Sequence, residues 1–420
     1  MIGAGAAGLA AAHALRDTHD VTLFEAAPRA GGHAHTIDVE LPGGTVAVDV
    51  GFLVLNNRNY PRFEALLGDL EVATRRSDMS FSVSDGRDFE YASHGPNGLF
   101  ATRRHLADPR FLRMVAEYGR FNRDAKALLA SDDEPSLRGW LADLGYSDAF
   151  VERLIVPQAA AVWSADPEQL WDFPARFLVQ FFDNHGMLGF RGRPRWLTVV
   201  GGSRAYVDAI RARLGGRLRL ATPVERVERT RDGVLVLPRH GRAERFDEVV
   251  LACHSDQAVA LLADPTPPER DVLGAIRYLP SRLQLHSDAR LLPRRRAAWA
   301  SWNYHLLDTS APPAPTVTYH LNRLQGVPAD RELLVTLNLP DRVDPRTVHA
   351  DFEVAHPVYT PGAVAAQRRR AEISGADRIH YAGAYWRWGF HEDAIASGLD
   401  AAAAIRERTA TSLSQEALAA

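Results

Sequence analysis

Two periods alternate along the chain. Residues 9–16 form a small-residue apolar run with helical character, and Val21-Thr22-Leu23-Phe24 reads as a strand closing on Glu25. Strand alternation recurs over 37–41 and 45–48 around Pro42-Gly43-Gly44, which predicts a hairpin. Pro61 then opens a predicted helix over 62–70. From there to about 189 the apolar positions fall at helical spacing, as in Leu112, Val115, Tyr118 and Phe121, then Leu137, Trp140, Leu141 and Leu144. The aromatic run 173–182 reads as a helix whose rings either fill a core or wall an apolar tunnel. Strand and helix signals alternate again after Arg195, with a Gly201-Gly202 turn, a helix over 206–214 and strands over 218–220, 234–237 and 247–252. Strand-like runs at 282–286, 299–304, 317–320 and 333–337 follow, then a buried strand at 379–383, a glycine and aromatic loop, and a helix over 393–405.

This order predicts an α/β domain in three pieces, 1–60, 190–264 and 375–410. An inserted α+β domain occupies 61–189 and 265–374, and 411–420 reads as a flexible tail.

The opening stretch carries the first candidate chemistry. Gly3, Gly5 and Gly8 stand in a GxGxxG turn ahead of a helix, and Glu25 ends the next strand seventeen residues later. Glycines there let backbone approach a pyrophosphate, the helix N-terminus offers free N–H groups, and the terminal acid can accept ribose hydroxyls. The pattern points to an adenine dinucleotide, NAD or FAD. A first strand of about five residues is expected before the first glycine. Only Met1 and Ile2 precede it, so the natural start is expected a few residues upstream.

Composition narrows the field. With 46% hydrophobic residues, a net charge of −3 and 420 residues, the chain can bury a large core and has no broad attraction for nucleic acid. Cys253 is the single cysteine, which excludes an internal disulfide and a thiolate metal cluster and suits the cytosol. No eighteen apolar residues run together, so any membrane contact is expected to be peripheral, at the inner face. Lys126 is the single lysine among 49 basic residues, which matters below.

Taken with Arg29-Ala30-Gly31-Gly32, Asp49-Val50-Gly51, Pro223-Val224, Gly383 and the run from Gly389 to Gly398, the chain resembles the flavin amine oxidase-like superfamily. That group includes monoamine oxidases, protoporphyrinogen oxidase, carotenoid desaturases and a fatty acid isomerase. Within it, GGHAHT, DVGFLVLNNRNYP, SDMSFSV and WASWNY resemble a bacterial branch of predicted NAD/FAD-binding proteins, often encoded beside lipid-modifying enzymes. The resemblance implies a Rossmann-like FAD-binding domain of the glutathione-reductase type with an inserted substrate domain. It implies that Gly3, Gly5, Ala6, Ala7, Gly8, Glu25, Ala26, Arg29, Gly31, Gly32, His33, Asp49, Gly51, Val224, Gly383, Asp393 and Ala394 surround FAD. Arg29 and the amides at Gly31-Gly32 would hold the pyrophosphate, and Val224 would pair with the adenine. The helix starting near Asp393 would face the flavin N1/C2 carbonyl, where a helix N-terminus favours the negative charge of reduced flavin. Two departures stand out. The family's lysine near the flavin is missing from 281–286, which holds Arg282 and His286 instead, and Ala384 stands where relatives carry an acid.

Tyr385, Trp386 and His391 are the candidate catalytic side chains, as ring packing or as proton carriers beside the flavin. His33, His35 and His391 match no metal-ligand spacing, and Ser203 lacks a GxSxG elbow, so no metal site and no serine nucleophile are expected. The runs Arg294–Arg296 and Arg368–Arg370 are solvated faces or contacts for anionic lipid. The chain is therefore expected to be an FAD-dependent oxidoreductase that desaturates or oxidises a fatty acyl chain or other hydrophobic substrate, with a membrane surface or a lipid-modifying enzyme as expected contacts. An amine oxidase with an altered pocket, a double-bond isomerase and a non-catalytic FAD-binding accessory subunit remain open.

Overall fold

The structure, a computed structural model, describes residues 1–163, 171, 174–189, 192–307, 316–328 and 330–419. Its organising layer is a parallel sheet. Ile2 bridges Phe24 on one side and Leu251 on the other. Leu23–Phe24 pairs in parallel with Leu218–Arg219, and Val249–Leu251 pairs in parallel with Ile379–Tyr381. Numbered along the chain, these five strands lie in the order 3-2-1-4-5, a doubly wound arrangement whose ligand crevice lies beyond the strand C-termini. The central place is held by Met1, Ile2 and Gly3, with Phe24 N donating to Met1 O, Ile2 N to Val250 O and Gly3 N to Phe24 O.

The first helix, Ala6–Leu15, is buried along nearly its whole length, and the closing helix, His391–Ala419, lies against it. Gly398 permits that crossing: a Cβ there would stand 2.1 Å from the Ala7 carbonyl oxygen. The closing helix runs on to Ala419, where the sequence suggests a flexible tail from 411. The stretch holds three alanines and two leucines, both strong helix formers, and has no Gly or Pro to stop it.

The second layer is a seven-stranded sheet in the order 348–358, 277–286, 334–337, 317–320, 302–305, 81–84, 90–92. It corrects the sequence reading twice. The strands Phe81–Ser84 and Glu90–Ala92 fall inside the stretch predicted to be helical, as does Thr74–Arg76 in a separate small sheet with Trp196–Val199, and the eleven-residue strand Val348–Val358 was not anticipated. Thr74–Arg76 and Phe81–Ser84 are stabilised by partners distant in sequence, Trp196–Val199 and Trp302–His305, while Glu90–Ala92 closes a local hairpin on Phe81–Ser84. Three or four residues of local pattern cannot announce such pairing. The helices Pro109–Ala130, Leu137–Asp143, Val156–Trp163 and Ala175–Asn184 cover this layer around the buried Phe121, which meets Trp140, Tyr146, Phe150 and Phe182 edge-on or tilted.

Candidate active site and cofactor cradle

One cavity of about 1150 Å³ begins at the C-terminal edge of the parallel sheet and continues beneath the seven-stranded sheet. Small-molecule sites typically hold about 300–1,000 Å³, so this volume suits a large cofactor with further space beyond it.

At the sheet end the cavity is walled by Gly3, Gly5, Ala6, Ala7, Glu25, Ala26, Gly31 and Gly32. The first backbone N–H groups of Ala6–Leu15 have no partner inside their own helix, and Leu9 N to Gly5 O is the first bond across its cap. These N–H groups therefore face the cavity with the positive end of the helix dipole, which suits a phosphate. Gly8 lies behind the turn, because a Cβ on it would stand 1.9 Å from the Gly3 carbonyl oxygen. Glu25 is fixed by two amides, with Ala4 N donating to Oε2 at 2.7 Å and Ala27 N to Oε1 at 2.8 Å. Each oxygen keeps a lone pair for a ribose hydroxyl. Val224, at the head of the strand Val224–Thr230, lines the adjoining wall.

Further along, Gly51, Phe52, Gly383, Tyr385, His391 and Ala394 close around the cavity. Phe52 and His391 stack at 3.9 Å between centroids. Burial draws the His391 imidazole down to about 3, so it is neutral, and its Nε2 has no partner. Tyr385 is buried with an unbonded hydroxyl, which burial keeps protonated. A Cβ at position 383 would meet the Tyr385 ring at 2.2 Å, so glycine there accommodates the tyrosine.

Five predicted residues do other work or sit off the wall. Gly8 supports the turn. Arg29 is exposed, with Nη1 3.4 Å from the Ala34 carbonyl oxygen, and does not line the cavity. Asp49 is a buried clamp: its carboxylate accepts from Thr36 Oγ1 at 2.6 Å and from Ser203 N and Oγ at 2.8 and 2.7 Å, fastening the hairpin to the Gly201-Gly202 turn. Burial raises its pKa against those hydrogen bonds. Asp393 accepts from Phe390 N at 2.9 Å and Trp388 N at 3.2 Å, and burial pushes it up to about 7. It shapes the aromatic loop that leads into the closing helix. Trp386 turns into the core, donating Nε1 to Tyr381 O beneath the Arg370 guanidinium.

Beyond the His391 and Phe52 pair aromatic and apolar side chains dominate the wall, with Ser80, Ser93, Gln158 and His185 also lining the cavity. Phe181 stacks on Phe390 at 5.1 Å, and Phe81, Met187, Trp302, Tyr319 and Leu337 complete the chamber. The aromatic run 173–182 thus serves both readings, since Phe182 fills the core while Phe181 faces the cavity; Phe173 lies outside the described residues. On the strand Arg277–His286, Leu283 lines the cavity, whereas Arg282 forks outward onto Asp351 at 2.9 and 2.7 Å and His286 bonds Thr336. Lys126 is exposed on the helix Pro109–Ala130 and is not on the wall. Most of the arginine runs are engaged, Arg295 with Glu90, Arg368 with Glu134, Arg369 with Glu372 and Arg370 with Asp400. Sequence reasoning missed Phe52, Phe390, His254, Tyr278 and His356. Of these His254 was within reach, because it directly follows a parallel strand's C-terminus, where such folds place ligands.

The model of the flavin containing amine oxidoreductase family matches residues 6–283 and 330–406. The chain belongs to that family. Among individual proteins, the "Putative flavin-containing monoamine oxidase AofH" of Mycobacterium tuberculosis is 27% identical over 285 residues, covering 64% of this chain and 60% of that protein. The match thus spans less than two thirds of its length. Cyclohexylamine oxidase from Brevibacterium oxydans shares the fold with a TM-score of 0.71 at 19% identity, over 97% of this chain and 98% of its own. A fatty acid isomerase from P. acnes superposes with a TM-score of 0.63 at 16% identity, over 95% and 96% of the two chains. The glycine turn, Glu25 and the inward N–H groups fit the flavin dinucleotide of this family. Among its described residues, no helix is long and apolar enough to cross a membrane.

Proposed function

We propose that this family member oxidises a hydrocarbon chain, with a fatty acyl group as substrate. The observation that carries the reading is the wall of the inner chamber. The carboxylates among the described lining residues, Glu25 and Glu225, belong to the dinucleotide end, and the chain's lysine is elsewhere. An ammonium drawn into the chamber would lose its hydration with no carboxylate to replace it. A methylene chain instead gains about 0.8 kcal/mol for each buried CH₂.

Charge at the rim gives the chain a direction. Arg193 lines the cavity near Met187 and Pro194, is exposed, and is oriented by Nε and Nη2 contacts of 3.3 Å to the Gly189 carbonyl oxygen. A carboxylate held there leaves the acyl tail to run inward between Phe181, Met187 and Trp302.

FAD bound in the cradle supplies the hydride acceptor. The protein's share is orientation and exclusion of water. The stacked Phe181 and Phe390 fix the lateral position of the chain, and Asp393 holds the loop that carries Phe390. Tyr385 and His391 present an uncharged hydroxyl and an uncharged imidazole near the reacting region, so neither competes with the apolar tail.

Arg193→Gln is expected to raise KM for a free fatty acid about tenfold, the loss of one charge-assisted contact, while the methyl ester of the same acid is turned over unchanged. Steady-state rates on both substrates check this, and an equal effect on acid and ester would contradict the direction of binding. A second reading is a double-bond isomerase, favoured by the fold shared with the fatty acid isomerase. Product mass separates them, since oxidation removes two hydrogens and isomerisation removes none.

A further inference from the structure

Three histidines meet midway along the cavity, between the phosphate turn and the His391 and Phe52 pair. His33 follows Gly32. His254 caps the helix Ser255–Leu261 just after the strand Val249–Leu251, and His356 arrives from Val348–Val358 in the other domain. All three line the cavity. The His33 ring lies 5.4 Å from that of His356 and 6.2 Å from that of His254. Tyr278 stacks on His254 at 4.2 Å and 7°, and its hydroxyl accepts from Ser255 N at 3.0 Å, so the ring cannot swing away. The Nδ1 of His356 is buried and has no partner. Among the described residues no such group is placed to hold a metal ion.

The family's cofactor brings a diphosphate, carrying two negative charges, to the helix N-terminus beside this trio. Guanidinium groups on the described wall are elsewhere: Arg239 adjoins Pro223, at the Val224 end, and Arg193 is at the chamber rim. Arg29 is off the wall and exposed, though within electrostatic reach of His33 and Glu25. We propose that His33, His254 and His356 together supply the counter-charge for the FAD diphosphate, taking up one proton from solvent as the dinucleotide binds.

Before binding, the trio is neutral. Burial holds His33 at about 3 and His356 at about 4, and lowers His254; the histidines also oppose one another's charging. The other groups facing the trio are Arg29 and His391 toward His33 and Asp256 toward His254. Of these only Asp256 favours an imidazolium. A doubly charged anion in a dry cavity reverses that preference. Mutual repulsion at 5–6 Å ring separation limits the uptake to one proton shared by the trio.

Because the complex then holds one more proton than its separated parts, FAD must bind more weakly as pH rises. The FAD-loaded full chain, diluted at a series of pH values and followed by the fluorescence of released FAD, should show Kd rising about tenfold per pH unit above neutrality. Isotope-labelled histidine NMR of the same holoprotein near neutral pH should show one imidazolium, which His254→Gln or His356→Gln displaces or removes. A Kd indifferent to pH, an all-neutral trio, or an imidazolium on a histidine outside it would each overturn the proposal. The wild-type spectrum decides the matter even where a variant fails to fold.

Discussion

Gly8→Ala is expected to empty the protein of FAD. A Cβ at this position would stand 1.9 Å from the Gly3 carbonyl oxygen and 3.2 Å from the Ala252 Cβ, and neither neighbour is a flexible side-chain tip. Relief requires the phosphate turn to open. That costs about 1–3 kcal/mol in packing and moves the inward N–H groups off a common focus. A loss of at least about a hundredfold in FAD affinity, roughly 2.7 kcal/mol, is the expected size. The ratio of visible flavin absorbance to protein absorbance in the purified variant measures it, with thermal melting to register the packing strain. A fully yellow Gly8→Ala protein would show that the turn tolerates what its geometry forbids. Gly398→Ala should behave alike, since its Cβ would drive the closing helix off Ala7.

Filling the chamber should separate cofactor from substrate. Ala161 is buried on the helix Val156–Trp163 and lines the inner cavity. In Ala161→Phe the new ring projects into space that the acyl tail would use, far from Glu25 and the phosphate turn. The variant is expected to retain FAD in full while kcat/KM for long-chain acids falls about a hundredfold, the equivalent of displacing three or four methylenes at about 0.8 kcal/mol each. Short-chain acids should lose much less. Rates across a chain-length series, normalised to bound FAD, check this; a uniform loss at every length would place the substrate elsewhere.

The parts of the site legible in the sequence were those with local spacing. Gly3, Gly5, Gly8 and Glu25 form a pattern within twenty-five residues; in the fold a Cβ at Gly3 or Gly8 would strike backbone, Gly5 lies open on the cavity wall, and two amides hold Glu25. The chemistry of Asp49 and Asp393 was not legible, because a carboxylate beside a glycine looks the same whether it meets a ligand or clamps the backbone. Only the hydrogen bonds from Ser203 to Asp49 and from Phe390 to Asp393 reveal clamps. Arg29 shows a similar limit, since the residue type suits phosphate but the side chain lies outside the cavity. The histidine trio was illegible for another reason. Its members come from positions 33, 254 and 356, and the strand that carries His356 is defined by its pairing with Arg277–His286. The substrate chamber falls between these cases: its aromatic helix could be read from the sequence, but which ring faced inward depended on packing across two domains.

The central claim is that the cavity offers bound FAD an apolar carbon chain. Anaerobic mixing of the FAD-loaded protein with a long-chain fatty acid, and separately with the primary amine of the same chain length, tests it most directly. The account predicts that the acid bleaches the oxidised flavin band and the amine leaves it unchanged. Bleaching by the amine alone would contradict it.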